Sequence, residues 1–368
     1  MTPAPPALDC WYLTGPTAAG KTKVGVELAR RLNAEIVSLD SMALYQAMDI
    51  GTAKPTAADR AAVPHHLLDL IPPTEEFSLS QYIDAAHAAI ADIRGRGKEV
   101  LFVGGTPLYL KSLLRGVFQG PPADWDFRAA IEKELDSLPL AALHQRLQVI
   151  DPLLAAKLHP NDKRRIIRGL EVFKLTGERL SHLQMQFDEA QPAATPKVFV
   201  LAWPRDELHR RIDARVEQMF AAGLVEEVRG LDLKYGTLSR TAVQAVGYRE
   251  VLEWLGEGSG FGVQGSAGAG PGGPANSEGA AVPGTQYSVL STHQPIASRS
   301  AAKLQRLTPP PSSSLADCIE RVKARTRQFA RRQETWFRSL SECTLAPMED
   351  NLSLEAAAHT ILTTAVRG

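Results

Sequence analysis

Apolar residues follow two rhythms along this chain. Short runs, WYLT (11–14), AEIVSLD (34–40), EVLFVGG (99–105) and KVFVLAW (197–203), have the length and character of buried strands. Between them, apolar positions recur every three or four residues, as in KVGVELARRL (23–32) and SQYIDAAHAAIADIR (80–94), which is helical spacing. Strand and helix in alternation predict a parallel sheet covered by helices. Residues 120–196 lack the strand signature and carry only helical patterns, DFRAAIEKELDSL, PLAALHQRLQVI and DKRRIIRGLEVFKLTG. They read as a helical insertion between a first part of the core, 1–119, and a second, 197–255.

Residues 256–314 break both rhythms, with 11 Gly, 10 Ser and 7 Pro in 59 residues and only five charged side chains. Such a stretch buries too little apolar surface to offset its ordering entropy, so it is expected to be a disordered insertion. Deleting 258–312 is expected to leave folding and activity intact. Beyond it, Leu315, Ile319, Val322, Phe329, Trp336 and Leu340 recur at helical spacing and predict one long amphipathic helix. Residues 315–368 are therefore expected to complete the core as a helical part, with Trp336 and Phe337 in its interior, the alternative being that they serve as stacking platforms.

Composition excludes several classes. With 41 Lys plus Arg against 41 Asp plus Glu, the formal net charge is zero, which argues against a uniformly basic coat protein or an acidic tail. Cys10, Cys318 and Cys343 form no CxxC pair, so neither a disulfide framework nor a structural zinc site is suggested. His65-His66 lacks a suitably spaced Cys or carboxylate partner and is read as structural. No stretch approaches the roughly 18 consecutive apolar residues of a membrane span, and the expected setting is the cytoplasm.

Chemistry enters at Gly15-Pro16-Thr17-Ala18-Ala19-Gly20-Lys21-Thr22, which fits G-x-x-x-x-G-K-[ST] and lies between a strand pattern and an amphipathic helix pattern. Glycines let backbone N–H groups wrap a phosphate, the helix N-terminus adds positive potential, Lys21 neutralises charge, and the Thr22 hydroxyl can ligate Mg²⁺. The fold class follows: α/β, a P-loop NTPase-like parallel-sheet core with a helical insertion domain. The loop specifies a phosphorylated ligand, a nucleotide such as ATP or else a different molecule carrying a diphosphate, without deciding which. P-loop ATPases usually follow a second apolar strand with a Mg²⁺-organising Asp; here that strand ends in Gly104-Gly105-Thr106, leaving Asp40 or Asp69 for the task. Ligands of open α/β sheets lie at the carboxyl ends of strands, where the loop, Asp40 and Thr106 would converge.

GPTAAGKT is followed by IVSLDSMALYQAMDIGTAKP, VPHHLLDL, FVGGTPLYLKSLL, HPNDKRRIIRGLEVFKLTG, LHRRIDARVEQMFAAGLVEEV, QAVGYRE and TRQFARRQETWFR. In this order the motifs closely resemble the tRNA dimethylallyltransferase family, over nearly the whole chain except 256–314 and about the last thirty residues. The resemblance implies that the phosphate loop takes the diphosphate of dimethylallyl diphosphate, and that the insertion with nearby basic surfaces holds the anticodon stem-loop of tRNA. It places tRNA contacts on Asp40, Ser41, Met42 and Ala43, on Arg164, Arg165 and Arg168, and on Thr106 and Arg128. The zinc-finger extension of eukaryotic members has no counterpart here, which points to the bacterial form, expected to act as a monomer.

The residues bear separate readings beside this. Arg211 and Arg215 are four apart, share a helical face opposite Ile212, Val216, Met219 and Phe220, and with Lys21 can stabilise a leaving diphosphate; a solvated basic face is the alternative. Asp40 directly follows a strand and can accept the proton of an attacking adenine amine, or merely cap the next helix. Thr106 can give a hydroxyl to the same crevice or act as a cap. Six basic residues against three acidic ones in 160–179, and seven against three in 315–338, offer phosphate contacts, among them Arg321, Arg325 and Arg332. Two further readings stand against a prenyl transferase: a P-loop kinase or NTPase, and a non-catalytic RNA-binding protein.

Overall fold

The computed structural model describes residues 5–116, 120–184, 197–256, 314–350 and 352–367. Six parallel strands form one sheet in the order β3-β2-β4-β1-β5-β6: β1 (Trp11–Thr14), β2 (Ala34–Ser38), β3 (His65–His66), β4 (Glu99–Val103), β5 (Val198–Ala202) and β6 (Thr344–Pro347). Alternation along the central strand separates the two faces. Tyr12 points with Phe102 and Val200 into a cluster under α3 (Leu79–Gly95) and α4 (Pro107–Arg115). Trp11 and Leu13 point with Leu101 and Leu201 the other way, into a cluster closed by α1 (Lys21–Leu32), Ala62 of the short α2 (Ala57–Ala62) and a C-terminal helix, Leu354–Arg367. Both faces are thus buried, which is why these strands read as continuous apolar runs.

Two strands escape the sequence pattern. β6 belongs to the part expected to be helical; its residues, Thr-Leu-Ala-Pro, pair among the described residues with β5 alone, along one side, and Leu345 is 55% exposed. An edge strand with one wet face and a terminal Pro carries no long apolar run. β3 is the His65-His66 pair itself, two residues beside β2. His65 Nδ1 lies 2.7 Å from the Val63 carbonyl and His66 Nε2 lies 2.6 Å from the Glu35 carboxylate, so both rings are structurally engaged, as expected.

The insertion consists of α5 (Trp125–Glu134), α6 (Leu140–Ile150), α7 (Pro152–Lys157), α8 (Lys163–Thr176) and the short α9 (Leu180–Leu183), packed on Ile131, Leu143, Leu147, Ile166 and Leu170. The chain leaves the core after Arg115, whose guanidinium is paired with Glu342 just before β6, and returns at Lys197 just before β5. Past β5 come α10 (Arg205–Ala221), α11 (Leu224–Tyr235), α12 (Arg240–Val243), α13 (Tyr248–Gly256), α14 (Leu315–Arg338) and α15 (Leu354–Arg367). The long predicted helix is α14, opened by a capping box on Ser314 and Asp317. Its buried residues are Cys318, Val322, Lys323, Ala330, Gln333 and Phe337, whereas Trp336 is 41% exposed, against expectation. Trp336 lies one position from Phe337, about 100° round the helix, so only one of the pair can face the sheet. The expectation for 256–314 falls outside the described residues, save Gly256, which ends α13, and Ser314.

Candidate active site at the carboxyl ends of the strands

The phosphate loop joins β1 to α1. Gly15 (φ 144°) passes so close to β5 that a Cβ would stand 2.9 Å from the Leu201 carbonyl oxygen, and Gly20 caps α1 in the left-handed region at φ 88°. Four loop carbonyls are held by donors. Lys21 Nζ bonds the oxygens of Gly15 (3.0 Å) and Pro16 (2.7 Å), Arg211 Nε that of Ala18 (3.1 Å), and Trp203 Nε1 that of Ala19 (2.9 Å). The Arg211 guanidinium stacks over the Trp203 ring at 4.1 Å, so the two side chains brace one another. Arg211 therefore belongs to the loop and not to a solvated face.

Arg215, one turn along α10, is half-buried, and its buried Nε has no hydrogen-bond partner among the described residues. Burial lowers its pKa, opposed by the charge of Asp40. Burial also brings the Lys21 ammonium down to about 7, with the positive charge of Arg215 as second cause. Two cations that repel each other, one with an unanswered donor, form a site that gains by receiving an anion. This fits a diphosphate. Magnesium has a thinner donor set: among the described residues no group of three His, Cys, Asp or Glu is arranged for a metal. Thr22 would hold Mg²⁺ together with phosphate oxygens, the usual mode for this ion. Asp69 is not available for it, because Lys54 and Arg60 occupy both its oxygens at 2.5 and 2.8 Å.

The opposite lip is formed where β2 and β4 end. Asp40 Oδ1 accepts the Met42 N–H at 2.9 Å, closing a local turn; no helix follows for it to cap. Thr106 stands at the N-cap of α4, yet its hydroxyl makes no cap bond and instead accepts the Ser41 N–H at 3.0 Å. Asp40, Ser41 and Thr106 are thereby joined as one unit. Met42 is half-buried against the cluster under α11 and α13, and Ala43 is 5% exposed, so Ala43 offers its surroundings little side chain. Glu227 fixes the segment that follows, accepting the N–H groups of Asp49, Ile50 and Gly51 and the Tyr248 hydroxyl.

One residue of the site carries no sequence signal. Gln333, 4% exposed on α14, accepts the Thr17 N–H at 2.9 Å and donates to the Gly105 carbonyl at 2.6 Å, bridging the loop to the end of β4. Gly105 permits it: a Cβ there would stand 2.7 Å from Gln333 Nε2 and 3.3 Å from Lys21 Nζ. At Gly104 a Cβ would overlap the Leu39 carbonyl at 2.2 Å. The Gly-Gly pair that replaces an acidic residue after β4 is thus a requirement of close approach.

The basic residues of the insertion separate into two groups. Arg128 makes a bidentate pair with the fully buried Glu171 (2.7 and 2.8 Å), and Arg168 bonds the same carboxylate at 2.5 Å and the Pro121 carbonyl at 2.8 Å. Burial raises the Glu171 pKa, but the two guanidiniums outweigh it and hold the carboxyl below its ordinary value. Arg164 and Arg165 are exposed on α8, Arg165 beside Asp162. On α14, Arg325 and Arg332 are exposed and Arg321 is half-buried.

Fold and site define a phosphate-loop protein of the parallel α/β class, with an anion-receptive crevice and a helical insertion. The family model for IPP transferase matches residues 43–269 and 284–340, breaking inside the Gly/Ser/Pro-rich stretch, and that for isopentenyl transferase matches 8–69. The chain is 43% identical to a tRNA dimethylallyltransferase of Rhodopirellula baltica over 91% of its length and 86% of the relative's. To one of Pelotomaculum thermopropionicum it is 37% identical, over 95% and 94%. A tRNA isopentenylpyrophosphate transferase from Bacillus halodurans superposes with TM-score 0.60 at 32% identity, covering 98% of this chain and 97% of that one. A eukaryotic dimethylallyltransferase captured acting on tRNA gives 0.65 at 25% identity, covering 95% and 76%. The chain belongs to the IPP transferase family, whose members these tRNA-modifying prenyl transferases are.

Proposed function

We propose that the protein transfers the dimethylallyl group of dimethylallyl diphosphate to the exocyclic amine of the adenosine 3′ to the anticodon in tRNA, releasing diphosphate. The observation that carries this reading is the crevice. On one side stand Lys21, Arg211 and the unpartnered Arg215 Nε around the phosphate loop; on the other, Asp40 and Thr106 at the ends of neighbouring strands. In the reaction, the amine nitrogen bonds to the allylic carbon as the carbon–oxygen bond to the diphosphate breaks, and the amine proton passes to the Asp40 carboxylate. Negative charge gathers on the departing oxygens, so cations placed there in advance favour the transition state over the ground state. Mg²⁺, when bound, neutralises part of that charge. Thr106, tied to the Ser41 backbone, orients the adenine edge beside Asp40.

The tRNA supplies an unpaired base to the crevice and phosphates to Arg164, Arg165 and α14, the backbone contacts that make affinity salt-dependent. Among the described residues no helix is long and apolar enough to cross a membrane; we take the enzyme to work as a cytoplasmic monomer. The test is purified protein with labelled dimethylallyl diphosphate, Mg²⁺ and unmodified tRNA. Label on adenosine with no ATP turnover is the expected result. ATP hydrolysis without transfer would return the chain to the NTPase reading.

A further inference from the structure

Trp125 opens α5 and is 63% exposed, whereas Trp11 and Trp254 are 8% and 5% exposed. Its ring is not left to move freely. The Arg128 guanidinium carbon lies 5.0 Å from the ring centroid, and Arg128 is itself locked by its two bonds to the fully buried Glu171. Lys174 lies 4.7 Å from the neighbouring Phe127 ring and bonds Asp124, the residue that caps α5. A flat aromatic surface is thus presented to solvent, with one guanidinium held against it. A protein partner would call for a contiguous apolar patch. A single exposed aromatic ring backed by a fixed guanidinium instead suits a nucleobase, which stacks on it face to face.

We propose that Trp125 is a stacking platform for one unpaired loop base of the RNA substrate, its indole held in register by Arg128 and Glu171. The inference rests on the tRNA reading above and adds to it a positioning residue on the insertion, outside the catalytic crevice. Stacking on a pre-held ring spares the side-chain ordering that a free tryptophan would pay on binding.

The test titrates the full-length protein with anticodon stem-loop RNAs carrying 2-aminopurine at one loop position at a time, using wild type, W125F, W125L and W125A. One position should show base-dependent quenching in wild type and W125F that vanishes in W125L and W125A. The Kd should rise roughly tenfold in those two variants, the scale of one lost base–aromatic stack, with melting temperature and KM for dimethylallyl diphosphate unchanged. Equal RNA affinity in W125A and wild type overturns the proposal, as does W125L matching W125F, which would make the contact merely apolar. If wild type binds no stem-loop at all, the tRNA reading itself has failed, a result distinct from either.

Discussion

Replacing Gln333 by Ala removes a side chain that is 4% exposed and holds two partners, the Thr17 N–H at 2.9 Å and the Gly105 carbonyl at 2.6 Å. A buried donor or acceptor stripped of its partner costs about 1–3 kcal/mol. Two such losses would reach about 2–6 kcal/mol, but the gap left behind borders an open crevice, and a water restoring one bond brings the expectation to about 2 kcal/mol. For a protein of this size that corresponds to a fall of roughly 3 °C in melting temperature. Because Thr17 and Gly105 frame the phosphate loop, the loss should fall on the diphosphate substrate. KM for dimethylallyl diphosphate should rise about tenfold, the equivalent of 1.4 kcal/mol, with KM for tRNA unchanged. Gln333→Glu is the informative companion: it keeps the acceptor for Thr17 but sets a carboxylate against the Gly105 carbonyl, and should be at least as damaging. Thermal melts with and without inorganic diphosphate, together with transfer kinetics, read both effects. If Gln333→Ala melts within a degree of wild type and keeps its KM, the bridge has no energetic role and the reasoning is wrong.

The ammonium of Lys21, brought to about 7 in the free enzyme, should make diphosphate binding take up a proton above that pH. Affinity should then be level below pH 7 and weaken as pH rises beyond it, with calorimetric heats that depend on the buffer; Lys21→Met should abolish the pH dependence. Since this pKa lies below that of the unfolded chain, the same group makes the free protein more stable as pH climbs from about 7 towards 10.5, a trend for denaturant titrations to check. Asp40→Asn, which keeps the turn to Met42 but loses the proton acceptor, should lower kcat by 10²-fold or more while leaving both substrates' binding nearly intact; near-normal turnover would remove Asp40 from that role. Glu171→Ala deprives Arg128 and Arg168 of their common anchor and should destabilise the insertion by about 3 kcal/mol. Hydrogen exchange should quicken in α5 and α8 alone, with tRNA affinity reduced and diphosphate affinity retained.

The strands β1, β2, β4 and β5 were legible because both faces of the sheet are covered, so each is rich in consecutive apolar residues, even with Glu35 inside β2 and Glu99 opening β4. The phosphate loop was legible because its function needs glycine, lysine and a hydroxyl at fixed spacing. Arg211 and Arg215 could be placed on one helical face, yet the choice between solvent and loop had to wait for Trp203 and Ala18 to be brought against α10. β3 and β6 were missed because two- and four-residue edge strands are held by pairing on one side rather than by hydrophobic runs. Arg128 and Arg168 are tRNA contacts by resemblance, and that Glu171, on the same helix as Arg168, holds both could not be read from their spacing.

The sequence by itself determined the local chemistry: periodicity set the elements, and the strand-loop-helix order around Gly15 to Thr22 marked the end of β1 as the candidate anion site. Tertiary structure alone decided what faces that site. Gln333 lies 316 residues from its partner Thr17, and Thr106 lies 65 from Ser41. Contacts at such separations depend on how the strands are ordered in the sheet, and side-chain periodicity records which face of an element is buried without recording what buries it.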